Sequence, residues 1–313
     1  MKALENDIFN LERFQIFESV QLAKDYFLAN IPVIGLQYVD YIDLKNSKVK
    51  ISIALAITSD QYATSLPSAP FGGFWCDTDI SPKSLDAFLV LVEQSLKSRG
   101  IKSITIVQPP KIYESQSDLV NYFLFKSGWA LHNILSHQFF CGAKKIKNFL
   151  QSESPRIRKK MKSNSLFSSY NYISNFDFLK KMKDWNTQKG YEFNINEDLL
   201  VRQVSSYPDR YFLIKLQQGD QIVGYALAVK LTSNSIYYFL SAFDSAMNLT
   251  GGGEFLLLEL FLLAKDQKVD FIDLGSSNVR EGPNYNLMFF KSRFSNEISS
   301  KMTWYKEFQN DSF

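Results

Sequence analysis

A repeated order of predicted elements is the feature that most constrains the fold of this 313-residue chain. The first half predicts an apolar helix from about residue 82, a strand from 101, a helix from 116 and a strand from 133. The second half predicts the same types of element from about 253, 269, 284 and 298. The four separations lie between about 165 and 171 residues, and boundary errors of a few residues account for the scatter. Because identity between the halves is low, the repeat depends on order and spacing, and it predicts two similar units.

Local signals support the individual elements. Ser81 and Pro82 give an N-cap followed by proline at the first helical position, and Gly100 is placed to end that helix. In the second half three β-rich runs separated by turns predict a meander: Tyr211 to Gln217, Gln221 to Lys230 and Ser235 to Ala242. The sequence therefore predicts an α/β fold of two tandem units, residues 1–147 and 148–313. Each unit is expected to have a mixed, mostly antiparallel sheet flanked by helices.

Composition excludes several classes of protein. The chain is 45% apolar and 21% charged, which excludes a disordered or collagen-like chain. Its 35 basic and 32 acidic residues give a formal charge of +3, so neither DNA binding nor extensive wrapping of RNA is indicated by charge. The 27 Phe, 16 Tyr and 4 Trp are bulky enough to fill two cores.

The content of histidine and cysteine predicts no metal site. Cys76 and Cys141 are too few for a disulfide framework or a four-thiolate zinc site. His132 and His137 are five apart in a predicted strand, so they are expected on opposite faces as ordinary sheet residues. Zinc hydrolysis and a histidine-based nucleophilic triad are therefore not favoured.

The sequence predicts a cytoplasmic protein. The N-terminal segment MKALENDIFNLERF carries acidic residues where a secretory signal needs a basic start and an apolar run. The most apolar helix, residues 255–264, is too short to span a bilayer and contains Glu259. No membrane span is therefore expected.

A glycine triplet is the first candidate for a binding loop. Thr250 and Gly251 to Gly253 lie between a predicted strand and a strongly apolar helix. Consecutive glycines allow the backbone to approach a ligand, and a helix N-terminus favours phosphate. The pattern is neither a dinucleotide fingerprint nor a Walker loop, and a flexible turn into the helix explains it equally well. The matching position in the first half, residues 79–83, has no glycine.

A second candidate site follows the strand predicted at Asp270 to Leu274. Polar residues crowd just beyond it, at the sheet edge where ligands tend to bind: Ser276, Ser277, Asn278, Asn284 and Asn286. Lys291 follows two phenylalanines on an otherwise apolar helix end. It could stabilise negative charge that develops on a substrate oxygen. The alternative is an ordinary amphipathic lysine with a solvated head.

These motifs resemble those of a known family. The meander, the glycine triplet, the strand VDFIDLGS and the run NYNLMFFKSRF are similar to tandem-GNAT FemAB-like proteins and their BioF2-like acetyltransferase relatives. The resemblance covers most of the chain and is clearest over about 210–305. It implies an acyltransferase acting on an amine, with acyl-CoA (acetyl-CoA) as donor. It implies that the loop of Gly251 to Gly253 holds the pyrophosphate of the donor and that Lys291 stabilises the tetrahedral intermediate. Together with the polar residues beyond the strand, the predicted cofactor-binding residues are Thr250, Gly251, Gly252, Gly253, Ser276, Asn278, Asn284 and Asn286.

The sequence does not decide which molecule is the donor or which residues carry protons in the reaction. The loop lacks the Arg/Gln-x-x-Gly-x-Gly/Ala form of acetyl-CoA users, so an aminoacyl-tRNA donor and a non-catalytic ligand-binding protein are alternatives. Glu254, Asp273 or water could act as general base, and Tyr285 could protonate a leaving group. The expected acceptor is a small molecule or a molecule like a cell-wall precursor, in a bacterial-type enzyme.

A basic segment bears on the choice of partner. It is predicted to begin as a helix at Ser154 and Pro155 and has five cations in seven residues: Arg156, Arg158, Lys159, Lys160 and Lys162. Contact with tRNA or with a phosphorylated acceptor is one interpretation, and a solvated helix face is the other.

Overall fold

The computed structural model describes residues 15–18, 25–30, 38–46, 48–67, 69–190, 193, 195–244, 246–247, 249–279 and 282–308. The chain divides into two compact units. One consists of Met1–Ser136 with Ser299–Phe313, and the other is His137–Ile298. The boundary predicted between residues 147 and 148 lies within a helix. As a division of the two sequence repeats it stays a prediction.

The described part of the first unit is a mixed sheet with two long helices. Its elements are β1 (Gln15–Glu18), β2 (Tyr38–Asn46), β3 (Lys48–Ile57), β4 (Tyr62–Ser65), β5 (Trp75–Cys76), α1 (Pro82–Ser98), β6 (Ser103–Gln108) and α2 (Ser117–Lys126). A 3₁₀ turn lies at Phe27–Asn30. The strand β7 (Ala130–Cys141) follows α2.

Strand pairing in the first unit is antiparallel with one parallel step. The strands β1, β2, β3 and β4 pair antiparallel in sequence order, and β4 then pairs with β6 in parallel. The far side of β6 pairs antiparallel with residues 302–307 near the C-terminus. Buried side chains of α1, including Phe88 and Leu89, pack on the strands around Ile104 to form the core.

The second unit has a similar set of elements. They are α3 (Ala143–Ser163), β8 (Leu166–Tyr172), α4 (Asp177–Gln188), α5 (Glu197–Ser206), β9 (Tyr211–Gln218), β10 (Gln221–Val229), β11 (Ser235–Phe243), α6 (Gly252–Asp266), β12 (Phe271–Ser276), β13 (Asn278–Val279), β14 (Gly282–Pro283) and α7 (Tyr285–Ser292). The strand β15 (Glu297–Glu307) follows α7, and its residues from Ser299 belong to the first unit.

The sheet of the second unit repeats the strand order of the first. The strands β8 to β11 pair antiparallel in sequence order, β11 pairs with β12 in parallel, and β12 pairs antiparallel with residues 137–141 of β7. The α6 helix is buried nearly all round, and its side chains form the core with Phe140, Ile236 and Ile272. A continuous apolar face of this kind explains why periodicity in α6 is weak.

The predicted repeat of elements is confirmed. The helices α1 and α6 begin at Pro82 and Gly252, 170 positions apart, and β6 and β12 begin at residues 103 and 271, 168 apart. The helices α2 and α7 begin at residues 117 and 285, again 168 apart. The predicted α/β class with two units of mixed, mostly antiparallel sheet is likewise confirmed.

The basic helix begins earlier than predicted. Instead of opening at Ser154, α3 starts at Ala143 and contains Pro155 in its interior. Its buried residues Ile146, Leu150, Ile157 and Met161 hold one helical face on both sides of the proline. Pro155 is exposed, so water can hydrogen-bond the carbonyl that the missing N–H would otherwise have used. Burial of the apolar face outweighs the local cost of the proline.

No helix within the described ranges is both long enough and apolar enough to cross a bilayer. Within the same ranges, no cluster of three or more His, Cys, Asp or Glu side chains is arranged to hold a metal ion. Cys76 and Cys141 are both free thiols. Burial raises the pKa of Cys141 to about 11, with Glu297 adding to the effect, so this thiol stays protonated at neutral pH.

Candidate active site

The strands β11 and β12 open away from each other at their carboxyl ends. They pair in parallel at three positions, Ser235–Tyr237 opposite Phe271–Asp273, although β11 continues to Phe243 and β12 to Ser276. On its other side β11 carries a bulge, because Tyr238 pairs with Ala228 whereas Leu240 pairs with Leu227. Phe239 is the extra residue. A bulge re-aims backbone groups, and the opening leaves a place for a ligand at this sheet edge.

The glycine triplet forms the N-terminus of α6. Gly251 is the N-cap and has a left-handed backbone with φ of 90°, a conformation that favours glycine. No side chain caps this end of the helix in the described structure. The first-turn N–H groups are therefore not held by a capping side chain, which is the arrangement that an anion-binding helix end needs.

The glycines also allow aromatic rings to pack against the loop. A Cβ atom on Gly252 would lie 2.8 Å from the ring of Phe243, and one on Gly253 would lie 2.8 Å from the ring of Phe290. Beside them is a cavity of about 410 Å³ whose lining includes Phe243, Met247, Gly252 and Lys189. Glycines are therefore needed here for the packing of the two rings as well as for the approach of a ligand. Both interpretations of the triplet, a binding loop and a turn into the helix, keep support.

Glu254 occupies the third position of α6 and is tightly paired. Its carboxylate is about 3.3 Å from Lys160 Nζ and 3.2 Å from Arg293, and its side chain is only 8% exposed. Both carboxylate oxygens of Glu254 are therefore engaged by cations, from Lys160 on one side and from Arg293 on the other. A negative charge in the first turn is also favourable to the helix. A catalytic role for Glu254 stays a prediction.

Lys291 is the only buried residue of α7 in the described structure. It is 7% exposed, and its Nζ donates a hydrogen bond of 2.7 Å to the carbonyl of Ser276 at the end of β12. Burial lowers the pKa of Lys291 to about 8, and the nearby carboxylate of Asp273 opposes that change. The ammonium form therefore predominates at neutral pH. An amphipathic lysine with a solvated head is not what the structure places here.

Asp273 is fully buried and is bonded to a histidine that sequence reasoning treated as an ordinary sheet residue. Its Oδ1 accepts the N–H of Gly275 at 2.7 Å and lies 3.2 Å from Nδ1 of His137. Because an ionised carboxylate only accepts hydrogen bonds, Nδ1 carries the proton of the imidazole. The other ring nitrogen of His137 is buried and has no hydrogen-bond partner within the described structure. Since the two residues are 136 positions apart, no local motif joins them.

The remaining predicted residues differ in their contacts and in how far they are exposed. Ser276 contributes its carbonyl to Lys291, while Asn284 is the N-cap of α7 and accepts the N–H of Leu287. Tyr285 is 77% exposed. Three further predicted residues, Thr250, Asn278 and Asn286, are exposed. The structure therefore brings Ser276 and Lys291 into direct contact, and binding roles for the others stay predictions.

The basic residues of α3 divide into two groups. Lys160 is turned toward Glu254, whereas Arg156, Arg158, Lys159 and Lys162 are exposed. Arg156 pairs with Glu153 and the Nε of Arg158 donates to Ser154, so these two are partly engaged within the helix itself. Four exposed cations on one helix form a local positive surface.

The fold of the chain is shared with solved structures of other proteins. FemX has a TM-score of 0.60 at 12% identity, covering 98% of this chain and 96% of that one. The C-terminal domain (DUF2156) of an Agrobacterium fabrum protein described as a lysylphosphatidylglycerol synthetase gives 0.59 at 13% identity, covering 97% and 93%. A tandem GNAT protein from the clavulanic acid biosynthesis pathway gives 0.51 at 10% identity, covering 88% and 84%.

The fold class is thereby defined. The chain has the FemAB-like tandem GNAT fold over nearly its whole length. No protein-family model matches the sequence. No curated protein matches it at a significant level.

Proposed function

We propose that the second unit transfers an acyl or aminoacyl group to an amine. The observation that carries the proposal is a buried lysine, Lys291, at the carboxyl end of two diverging parallel strands. Burying an ammonium group is costly, so its retention favours a chemical role over a structural one. The likeness to FemX and to a tandem GNAT protein supports the reaction class through the fold.

Acyl transfer needs stabilisation of the oxyanion that forms when the amine attacks the carbonyl carbon. In the described structure Lys291 donates one hydrogen bond, to Ser276, so its other two N–H groups can be directed to a substrate oxygen. The bulge at Phe239 on β11 can supply a backbone N–H on the opposite side of the opening. Together these donors would stabilise the tetrahedral intermediate.

The donor is proposed to be acyl-CoA, held by the loop that precedes α6. Uncapped N–H groups of the first turn and the cavity of about 410 Å³ beside Gly252 fit a phosphate-bearing donor. Glu254 reduces the positive potential at this helix end. Its pairing with Lys160 and Arg293 also places two cations close to the loop. The acceptor is proposed to be a small molecule or a molecule like a cell-wall precursor that bears an amine.

Calorimetric titration with CoA and with acetyl-CoA tests the donor. We expect the wild-type chain to bind acetyl-CoA and Gly252→Trp, which adds bulk against Phe243 at the wall of the cavity, to bind at least about tenfold more weakly, a difference of about 1.4 kcal/mol. Asp220→Trp is the matched control, because it adds the same bulk at an exposed turn between β9 and β10. Equal heats for wild type and Gly252→Trp would remove the loop from the donor site.

An aminoacyl-tRNA is the second candidate donor, and the exposed cations of α3 favour it. Phosphate contacts make such binding strongly dependent on salt. Reversing charge at Arg158 and Lys159 is expected to weaken tRNA binding and to flatten its dependence on salt. The same reversal at Lys180 and Lys181, exposed on α4, is the control. Absence of binding to both classes of donor would favour a non-catalytic binding protein.

A further inference from the structure

A buried polar pair, Asp273 and His137, lies near Lys291, and the proposed transfer reaction does not by itself require it. Asp273 is 0% exposed and His137 is 1% exposed, in the same region of the sheet as the carbonyl that binds Lys291. The pairing of the strands places them together, since His137 lies opposite Ser276 and Phe139 lies opposite Asp273. Directly opposed residues share a face of a sheet, so Asp273 is on the face of Phe139. His137 is two residues from Phe139 along β7 and therefore points to that same face.

The carboxylate of Asp273 is fixed from two directions. The N–H of Gly275 binds Oδ1 at 2.7 Å, and Nδ1 of His137 lies 3.2 Å from Oδ1 and 3.4 Å from Oδ2. Gly275 has a left-handed backbone with φ of 71°, and β12 has an extra residue relative to β7 between Asp273 and Ser276. The local bend that directs the Ser276 carbonyl to Lys291 therefore begins at the residue whose N–H holds Asp273.

An isolated lysine buried to this extent would lose its proton readily, because the apolar surroundings disfavour the charged form. Of the other ionisable groups in the described part of this unit, Glu254 on α6 is paired with Lys160 and Arg293. Tyr237 on β11 lies near Asp273, and both burial and that carboxylate raise the pKa of its phenol, which keeps it neutral. The buried Glu259 on α6 is hydrogen-bonded to Ser168 of β8, and Cys141 of β7 has a raised pKa that keeps it neutral. Asp273 is thus the buried carboxylate that acts on Lys291.

We propose that Asp273 and His137 are positioning residues for Lys291: the carboxylate keeps the buried ammonium protonated at neutral pH, and the imidazole holds the carboxylate in place. The pair acts through Lys291 and does not touch the reacting atoms. The relevance of this pair to catalysis depends on the proposed transfer reaction. Its effect on the charge of Lys291 can be measured without any substrate.

The test is a titration of Lys291 in the full chain, followed by NMR of lysine labelled with ¹³C at Cε and assigned by the loss of one signal in Lys291→Arg. In the wild type we expect a midpoint near pH 8. Asp273→Asn keeps an oxygen that can accept both the N–H of Gly275 and the Nδ1–H of His137, so it removes the charge while these hydrogen bonds stay possible. Loss of an opposite charge at this range is expected to lower the midpoint by about 1 unit or more.

Asp270→Asn is the matched control, because Asp270 lies exposed just before β12 and carries the same charge. Its midpoint for Lys291 is expected to equal that of the wild type. An unchanged or raised midpoint in Asp273→Asn overturns the proposal. If the midpoint falls as expected while Lys291→Met transfers acyl groups at the wild-type rate, the positioning pair stands and the proposed role of Lys291 in transfer is lost.

Two variants of His137 test its role. They also test the proposal as a whole if Asp273→Asn does not fold. His137→Leu removes the hydrogen bond to Asp273, and a buried carboxylate with fewer hydrogen bonds is a weaker countercharge. We expect the midpoint of Lys291 to fall by more than about 0.5 unit, within the range that a lost hydrogen bond produces. His137→Asn, whose amide N–H replaces Nδ1–H, should restore it. A wild-type midpoint in His137→Leu would exclude His137 from the mechanism.

Discussion

The two units share one order of strands but end their parallel pairs differently. In the first unit the end of β6 is closed by the chain itself: Gly72 and Gly73 both donate to the carbonyl of Val107, and the Val107 N–H binds the side chain of Ser65. Gln108, 0% exposed, holds Phe74 by two further hydrogen bonds. In the second unit the equivalent end of β12 is bound by the side chain of Lys291. The same opening is therefore filled by backbone in one unit and lined by an ammonium in the other.

The helices next to these strands in the chain also differ between the two units. The helix α1 is capped by Ser81, whose side chain accepts the N–H of Ser84, whereas α6 begins at Gly251 without a side-chain cap. At the position 168 residues before Lys291, α2 carries Phe123, which packs against the first core. The second unit thus has an uncapped helix N-terminus and a buried lysine where the first unit has a capped helix and a phenylalanine. This difference supports the proposal that the chemistry belongs to the second unit and that the first gives structural support.

Replacing Lys291 is the strongest test of the proposed difference between the two units. We expect Lys291→Met to lower kcat by about 100- to 1,000-fold, the range found when one oxyanion donor is lost. Lys265→Met, at the exposed end of α6, should leave the rate unchanged. Steady-state assays with the donor found by calorimetry measure both. A rate within a factor of two of wild type for Lys291→Met would leave the units chemically indistinguishable.

The same lysine should be visible in the dependence of stability on pH. Its pKa is lowered from the ordinary 10.5 to about 8 in the folded chain, so the unfolded chain binds more protons between those values. The cost of burying the charge is fully present below pH 8 and is lost by about pH 10.5. The wild type should therefore gain up to about 3 kcal/mol of unfolding free energy relative to Lys291→Met across that window.

Denaturant unfolding of both proteins at half-unit steps from pH 7 to 10.5 measures the difference, and other ionisable groups cancel because the two chains share them. Parallel stability curves would show that the ammonium is not buried as the structure has it.

Glycines with left-handed backbones offer a smaller contrast between the units. Gly251→Ala places a side chain at φ of 90°, and Gly128→Ala, after α2 in the first unit, places one at φ of 78°. Each substitution is expected to cost about 1–2 kcal/mol of stability through backbone strain. Only Gly251→Ala should also weaken donor binding. Thermal unfolding with and without donor separates the effects, and equal donor affinity in the two variants would argue against the loop as a binding site.

The order of elements could be predicted because local signals specify it. Asn196 and Asn284 each cap a helix through their side chains, and the apolar spacing of α1 matches its buried face. Pro155 was misleading because a proline after a serine is a local signal for a helix start, while the burial that keeps α3 continuous comes from residues on either side. Local propensity is overridden wherever tertiary packing contributes more free energy.

The candidate site was only partly accessible to sequence reasoning. The glycine loop and Lys291 lie in recognisable runs, but the pair of His137 with Asp273 is created by the antiparallel pairing of β7 with β12. An alternating strand specifies which face a residue occupies and not which strand lies beside it. The residues from Ser299 onward belong to the first unit although they are distant from it in sequence. A prediction that divides the chain into two contiguous segments cannot include this exchange.

The smallest expected effect concerns the helix that is capped. Ser81→Ala removes the acceptor for the N–H of Ser84 and is expected to lower the stability of the chain by about 1 kcal/mol. Because the first unit is proposed to have no part in donor binding, the affinity for acetyl-CoA should not change. Ser81→Asp, which keeps a capping oxygen, should recover the stability, as measured by denaturant unfolding. If Ser81→Ala weakened donor binding instead, the α1 end of the first unit would belong to the site, and the division of roles between the two units would have to be withdrawn.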